Sequence, residues 1–224
     1  MQVSPIEGHR IWSESYDRQP NPLLALETRV LDEMLLPFHG KRSVDIACGT
    51  GRWMTYAQSR GARVTGVDAC REMLLEAARK PHLAGRLILG QAGLLPLADE
   101  VADLVLCSFA LGYVPNAAGA ICEMARIAAP RSRIVVTDLH PRALEAGWTR
   151  SFRAGGIVYE IEHFPYSTSD LLEVGEAAGL RFEGSLDAHF GEPERSIFRS
   201  AGKDHLFSEM SRIPAVWMAS WVKS

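Results

Sequence analysis

A surplus of positive charge is the first thing missing. Lysine and arginine number 24 against 27 aspartates and glutamates, a formal charge of −3, so no global field would gather a nucleic-acid backbone. Cysteine is scarce too. Cys48, Cys70, Cys107 and Cys122 form no CxxC pair and join no histidine cluster, which excludes a disulfide framework and a structural zinc site. Free thiols in a reducing cytoplasm are the expectation, with Cys48 and Cys107 acting as small hydrophobes in apolar runs. No apolar run approaches the ~18–20 residues of a membrane-spanning helix. Met1–Arg10 carries Glu7, His9 and Arg10 and lacks the apolar core of a secretory signal. The expectation is a cytoplasmic protein, monomer or homodimer, with no metal, no membrane and no nucleic-acid partner.

What is present is an ordinary globular balance, 47% apolar and 23% charged over 224 residues, enough for one domain over 1–224 with a substantial core. Apolar runs of five to seven residues alternate with amphipathic stretches. The spacing predicts a helix over 23–36, part of a helical cap over about 10–40. A buried strand over 43–47 follows, then a helix over 50–60, a strand over 63–68, and a helix over 71–80 stopped by Pro81. Strands over 87–89 and 102–108, a helix over 117–128 and a strand over 133–138 complete the regular part. Such alternation specifies a parallel sheet with right-handed crossovers and helices on both faces. In such doubly wound α/β sheets ligands gather at the carboxyl ends of the strands. After Asp138 the pattern loosens. Residues 141–168 hold Gly155-Gly156, several aromatics and one short strand-like run, 157–161, and read as an insertion or small lid. A helix over 170–178, capped by Ser169 and stopped by Gly179, precedes two late strands, 181–186 and 215–222. These are expected to form an antiparallel pair at the sheet edge, for seven strands in all.

The informative stretch is Val44-Asp45-Ile46-Ala47-Cys48-Gly49-Thr50-Gly51-Arg52. Glycines between a strand and a helix free the backbone and let a ligand lie against it. A G-x-G alone is weak evidence. Here a buried strand precedes it, a helix follows, and a second strand ends in Asp68, 23 residues after Asp45, where a carboxylate accepts from ribose hydroxyls. These features admit a nicotinamide dinucleotide or S-adenosylmethionine. The dinucleotide fingerprint needs a third small residue, and Met54 stands there instead.

This stretch resembles motif I of class I S-adenosylmethionine-dependent methyltransferases, in the subgroup similar to ubiquinone/menaquinone C-methyltransferases (methyltransferase type 11). Val67-Asp68 resembles the ribose-binding end of the second strand of that Rossmann-like fold. Gln91-Ala92-Gly93-Leu94-Leu95-Pro96-Leu97-Ala98-Asp99 resembles the segment written D-A-x-x-L-P-F-x-D. Asp103–Val114 resembles the fourth strand and its exit, Ala128–Asp138 the loop into the fifth strand, and Tyr16-Asp17 a pair common before the fold proper. The match spans roughly residues 10–140. Two positions depart from the pattern: Gln91 replaces an acid, though its amide oxygen can accept the same bond, and Pro130-Arg131-Ser132 replaces P-G-G.

The resemblance implies S-adenosylmethionine as cofactor and S-adenosylhomocysteine as product. By it Gly49 and Gly51, with Ala47 and Cys48 before them, lie under the cofactor and Asp68 holds the ribose. Gln91 and Ala92 address the adenine edge, with Ala69 or Cys70 on its face. Asp45 and the main chain near Ser108 face the cationic methionine end, and Tyr16 closes over the top. For an acceptor hydroxyl, His140, after the fifth strand, is the candidate general base; His163, Tyr166 and His189 are further candidates in the variable half. Phe109 and Tyr113 are placed to line the acceptor pocket. Trp148, Phe152, Tyr159, Phe164 and Tyr166 either wall a planar acceptor or form a satellite core under the loop. The segment Ser108-Phe109-Ala110-Leu111 lacks the [N/D/S]-P-P-[Y/F/W] of nucleobase amine methylation. A small-molecule acceptor is therefore expected, the alternatives being a nucleic-acid or protein methyltransferase or a non-catalytic cofactor-binding subunit.

Overall fold

The computed structural model describes residues 1–34 and 38–224. The chain begins with β1 (Gln2–Val3), α1 (Pro5–Tyr16) and α2 (Pro22–Met34), then β2 (Arg42–Ile46), α3 (Arg52–Ser59), β3 (Arg63–Asp68) and α4 (Arg71–Ala78). A short 3-10 turn at Pro81–Leu83 leads to β4 (Leu87–Leu89) and β5 (Ala102–Ser108), and another at Leu111–Tyr113 to α5 (Ala117–Ile127) and β6 (Ala128–Leu139). The remaining elements are α6 (Pro141–Glu145), β7 (Ser151–Ala154), β8 (Ile157–Ile161), α7 (Thr168–Ala177), β9 (Leu180–Ala188), α8 (Glu192–Ser200), α9 (Asp204–Met210) and β10 (Val216–Lys223).

Seven strands form one sheet in the order β4-β3-β2-β5-β6-β10-β9. Neighbours from β4 to β6 pair in parallel, while β10 is antiparallel to both β6 and β9. This is the doubly wound, mostly parallel sheet with an antiparallel edge pair, and the reversed strand is β10, one place in from the edge. The central strands are buried on both faces, so their residues alternate between two cores. Leu104, Leu106, Val135 and Met218 join Trp53 and Met54 of α3 on one face. Val105, Cys107, Ile134, Val136 and Trp217 join Ile121 and Met124 of α5 on the other.

Several boundaries move for local reasons. The predicted 23–36 helix begins at Pro22, and its last two residues, with the 35–37 part of the helical cap, lie outside the described residues. Ser167, not Ser169, caps α7: its Oγ accepts from the Asp170 backbone N–H at 3.3 Å, while Gly179 does take the left-handed conformation, φ +81°. Without P-G-G before the fifth strand, Arg131 itself adopts φ +63°. The region 141–168 is more regular than expected. Strands β7 and β8 form a hairpin, and β1 adds to β8 in parallel, giving a second, three-stranded sheet. Phe152 stacks on Trp12 at 4.8 Å and on Tyr159 at 5.3 Å in a satellite core with Val3 and Ile161. Residues 189–214, unassigned from sequence, supply α8 and α9, whose Phe198 and Phe207 extend the first core.

Candidate active site

The carboxyl ends of β2, β3, β4 and β5 open into a cavity of about 570 Å³, roofed by the start of α1. That volume lies within the usual range for cofactor-sized ligands, roughly 300–1,000 Å³. Its floor is the glycine loop. The chain leaves β2 with Ala47 at φ +55° and Gly49 at φ +53°, and the Cys48 N–H donates to Val67 O at 3.1 Å, tying the loop to β3. A Cβ built on Gly49 would meet nothing within 4 Å, so this glycine faces open space in the left-handed region that disfavours side chains. Gly51 differs: at φ +79° its Cβ would lie 2.5 Å from Leu83 Cδ1, so it permits close packing of the loop and does not line the cavity. Across the sheet Phe109, leaving β5, is also left-handed at φ +51°. Two non-glycine residues thus hold costly conformations on the rim, where strain often accompanies binding.

Asp68 ends β3 in the cavity wall, 8% exposed. Its Oδ2 accepts from Gly49 N–H and its Oδ1 from Cys70 N–H, each at 2.7 Å. Burial raises its pKa, opposed by those backbone donors and by His9. One lone pair remains on each oxygen, suited to two vicinal hydroxyls. Asp45 does not line the cavity, yet it is 5% exposed and accepts no hydrogen bond from any described residue. Burial pushes it up to about 8, with Glu27 and Asp68 adding to the effect against Arg52. An unpartnered buried carboxylate beside the loop is what a cationic ligand end would satisfy.

Under the floor lies Glu27, fully buried. Its carboxylate accepts from Ser108 Oγ at 2.7 Å, from Trp53 Nε1 at 3.2 Å, and from Arg52 and Thr137. This network fixes Ser108 in the cavity wall. Asp17 accepts from Thr50 Oγ1 at 2.7 Å and from Lys80 Nζ at 2.9 Å, so the Tyr16-Asp17 pair fastens the end of α1 to the glycine loop.

Of the residues expected at the cofactor, Tyr16, Ala47, Gly49, Asp68, Ala69, Gln91, Ala92 and Ser108 line the cavity, as does Cys70. Asp45, Cys48 and Gly51 do not; Cys48 is packed into the core. Phe109 and Tyr113 also line it. His163 is exposed and outside it. Tyr166 packs toward Trp217 at 6.3 Å beside an adjoining, smaller pocket, where burial and then Asp138 raise its pKa. His189 lies outside as well, 3.1 Å from Ser211 O. His140 lies outside it too. It caps α6, its Nδ1 accepting from Arg142 N–H at 3.0 Å. The ring proton is then on Nε2, 3.2 Å from Asp187 Oδ1. Both nitrogens are engaged away from the cavity, so this geometry gives no support to His140 as the base. Among the lid aromatics only Phe164 reaches the cavity. Its N–H donates to Gly112 O at 2.8 Å.

Sequence reading missed the roof: Ser4, Pro5, Ile6 and His9 of the first turns of α1. The signal existed, since Ser4-Pro5-Ile6-Glu7 is an N-cap, a proline at the first helical position and a glutamate three after the cap. It also missed Arg150, whose Nη2 donates to buried Asp138 at 2.6 Å and whose guanidinium lies 4.7 Å over the Tyr113 ring. Asp138 in turn accepts from Gly112 N–H at 2.7 Å, so this buried pair locks the turn carrying Tyr113. Among the described residues no cluster of three metal-ligating side chains occurs, and no helix is long and apolar enough to cross a membrane.

Residues 44–136 match the family described as a methyltransferase domain. A demethylmenaquinone methyltransferase of Tropheryma whipplei is 32% identical over 149 residues, 62% of this chain and 61% of that protein. A 2-phytyl-1,4-naphtoquinone methyltransferase of Synechocystis is 31% identical over 130 residues, 53% and 54% of the two chains. The chain thus spans little more than half the length of these relatives. A solved structure described as a putative S-adenosylmethionine-dependent methyltransferase of Listeria monocytogenes superposes with a TM-score of 0.70 at 19% identity, covering 90% of this chain and 99% of that one; at that identity the likeness is one of fold. The strand order, the glycine loop tied to Asp68 and the matched residues agree: residues 44–136 are similar to a methyltransferase domain, on a fold shared with S-adenosylmethionine-dependent methyltransferases.

Proposed function

We propose that the cavity binds S-adenosylmethionine and that the chain methylates a small, apolar, ring-bearing acceptor that enters beside Phe109, Tyr113 and Phe164. The observation that carries this reading is the pairing of Gly49 with Asp68. An open left-handed glycine lies beside a carboxylate that already holds Gly49 N–H with one oxygen and Cys70 N–H with the other and keeps lone pairs for a ribose. Asp45, a buried acid behind the glycine loop with no hydrogen-bond partner among the described residues, would lose its proton and hold the cationic methionine end when the cofactor binds. Gln91, Ala92, Ala69 and Cys70 supply an adenine slot at the ends of β3 and β4.

The cofactor supplies an already activated methyl group. The protein's work is therefore positioning and exclusion of water. The roof from α1, fastened through Asp17 and by β1 on β8, excludes solvent. Ser108, held by Glu27, and the strained Phe109 fix the β5 exit over which the acceptor lies. The cavity wall also carries the apolar Ile6, Leu94, Val114 and Phe164 together with Phe109 and Tyr113. The two relatives named for quinone acceptors support a ring acceptor of that chemical kind. Calorimetry with S-adenosylmethionine and with NAD, followed by mass-spectrometric detection of S-adenosylhomocysteine after addition of 1,4-naphthalenediol, tests the reading. Binding of the first ligand only, with acceptor-dependent turnover, is expected. Binding of NAD alone overturns the cofactor assignment, and cofactor binding without turnover on any ring acceptor overturns the acceptor class.

A further inference from the structure

His9 is a titratable group at the cavity that nothing above uses. It stands one turn into α1 and lines the cavity wall. Its Nδ1 is 2.7 Å from Pro5 O. A carbonyl can only accept, so Nδ1 carries the proton and the neutral ring presents its lone pair on Nε2. That atom has no partner among the described residues and is not sealed in the core. The ring plane is set by Tyr113, edge-on at 4.8 Å and 86°.

The position is over-determined. The Met1 ammonium donates to Val158 O at 2.8 Å, and Gln2 and Val3 pair with Glu160 and Ile161. One residue before His9, a Cβ on Gly8 would lie 2.8 Å from Ile161 Cγ1, so α1 sits as close to β8 as a glycine permits. Burial lowers the His9 pKa; the bond to Pro5 O and then Asp68 from the end of β3 oppose this, and Arg150 from the segment before β7 adds to it. From the turn after β5 the facing titratable group is the Tyr113 phenol, itself raised by burial. From α1 the nearest ring is Trp12 at 6.3 Å. The lowered pKa leaves a neutral imidazole near pH 7, in the lining of the same cavity as Tyr113 and Phe109.

We infer that His9 Nε2 is the base that accepts the proton of an acceptor hydroxyl during methyl transfer, an inference that rests on the methyltransferase reading above. The acceptor O–H bond breaks and its proton goes to Nε2. The oxygen forms a bond to the methyl carbon as the carbon–sulfur bond breaks, its electron pair remaining on sulfur. The imidazolium then returns its proton to water. Pro5 O, holding Nδ1–H, stabilises the imidazolium and keeps the ring in the accepting tautomer.

Two measurements test this. The first is 15N NMR of the histidine rings in the wild-type protein, with His9 assigned by its disappearance in His9→Asn. A protonated Nδ1, an unprotonated Nε2 and a pKa below the ordinary histidine value are expected. The second compares His9→Asn with wild type on 1,4-naphthalenediol. The asparagine amide can still donate to Pro5 O but has no atom at Nε2, so α1 stays in place. S-Adenosylmethionine affinity within threefold and turnover lower by about 10²–10⁴-fold are expected. The wild-type rate should rise with pH through the pKa read by NMR, and the variant should lack that rise. An Nε2-protonated ring, or His9→Asn turnover within threefold of wild type, overturns the assignment. Should His9→Asn not fold, His9→Gln and the wild-type tautomer remain decisive. Failure of wild type to bind S-adenosylmethionine would instead overturn the methyltransferase reading, leaving the NMR result to judge His9.

Discussion

Replacing Asp68 by alanine should damage the protein twice, and the two effects can be measured apart. In the unliganded chain both carboxylate oxygens hold backbone N–H groups, Gly49 and Cys70, at 2.7 Å. Hydrogen bonds to a charged group contribute about 1.5–3 kcal/mol each, so losing two sets an upper bound near 3–6 kcal/mol. Two things reduce it. The carboxylate bears a burial penalty, visible in its raised pKa, and water entering from the cavity can reach the freed donors. A net loss of roughly 2–4 kcal/mol follows, which for a chain of this length lowers Tm by about 5–15 °C. The ligand effect is separate: loss of the ribose bonds should weaken S-adenosylmethionine by another 1.5–3 kcal/mol or so, about 10–150-fold. Thermal unfolding of the apo protein reads the first and calorimetry well below Tm the second. An apo Tm within 2 °C of wild type would refute the loop-holding role. A folded variant with unchanged Kd would refute the ribose contact.

Other substitutions discriminate further. Gly49→Ala should abolish cofactor binding at a stability cost of only about 1–2 kcal/mol, its side chain entering open space in a strained conformation. Gly51→Ala should instead destabilise more strongly through Leu83, and the reverse ranking in parallel melts and titrations would show the loop to be misassigned. Glu27→Ala strips a fully buried acceptor from Arg52, Trp53, Ser108 and Thr137; urea unfolding should show a loss of about 3–5 kcal/mol, and a loss under 1 kcal/mol would mean the network relaxes. Asp45, pushed up to about 8, holds a proton in the folded state that the unfolded chain releases near pH 4. Apo stability should therefore fall as pH rises from about 4 to about 8, Asp45→Asn should flatten that slope, and an unchanged slope would remove Asp45 as its source.

The sheet was legible because parallel strands buried on both faces write continuous apolar runs. The loop between β2 and α3 also needs residue types that little else explains. Asp68 was found by its place at a strand end, but its grip on Gly49 and Cys70 was not, since a carboxylate that binds a ligand and one that ties a loop look alike in sequence. Cys48 and Gly51 fell within the motif yet pack inward, because a motif names a loop and not the direction of each side chain. His140 lies away from the cavity for a related reason. Its place after the fifth strand was read correctly, but a histidine before Pro141 is also an N-cap, and both its nitrogens serve that corner. The roof was missed because α1 buries mainly small residues, Gly8 and Ser13, and writes no strong apolar stripe; its Ser4-Pro5 start was the available sign. Residues 189–214 were unassigned for want of a clear stripe, though Glu194 there is buried against Arg29 of α2.

The most direct test is a crystal structure of the chain grown with S-adenosylhomocysteine. The ribose hydroxyls should lie within hydrogen-bond distance of Asp68, the adenine between Ala69 or Cys70 and the Gln91-Ala92 segment, and the backbone of Gly49 beneath the ligand, with His9 Nε2 facing the space left for the acceptor. Ligand bound away from the β2–β5 strand ends, or a cavity that stays empty at ligand concentrations saturating in solution, would contradict the account.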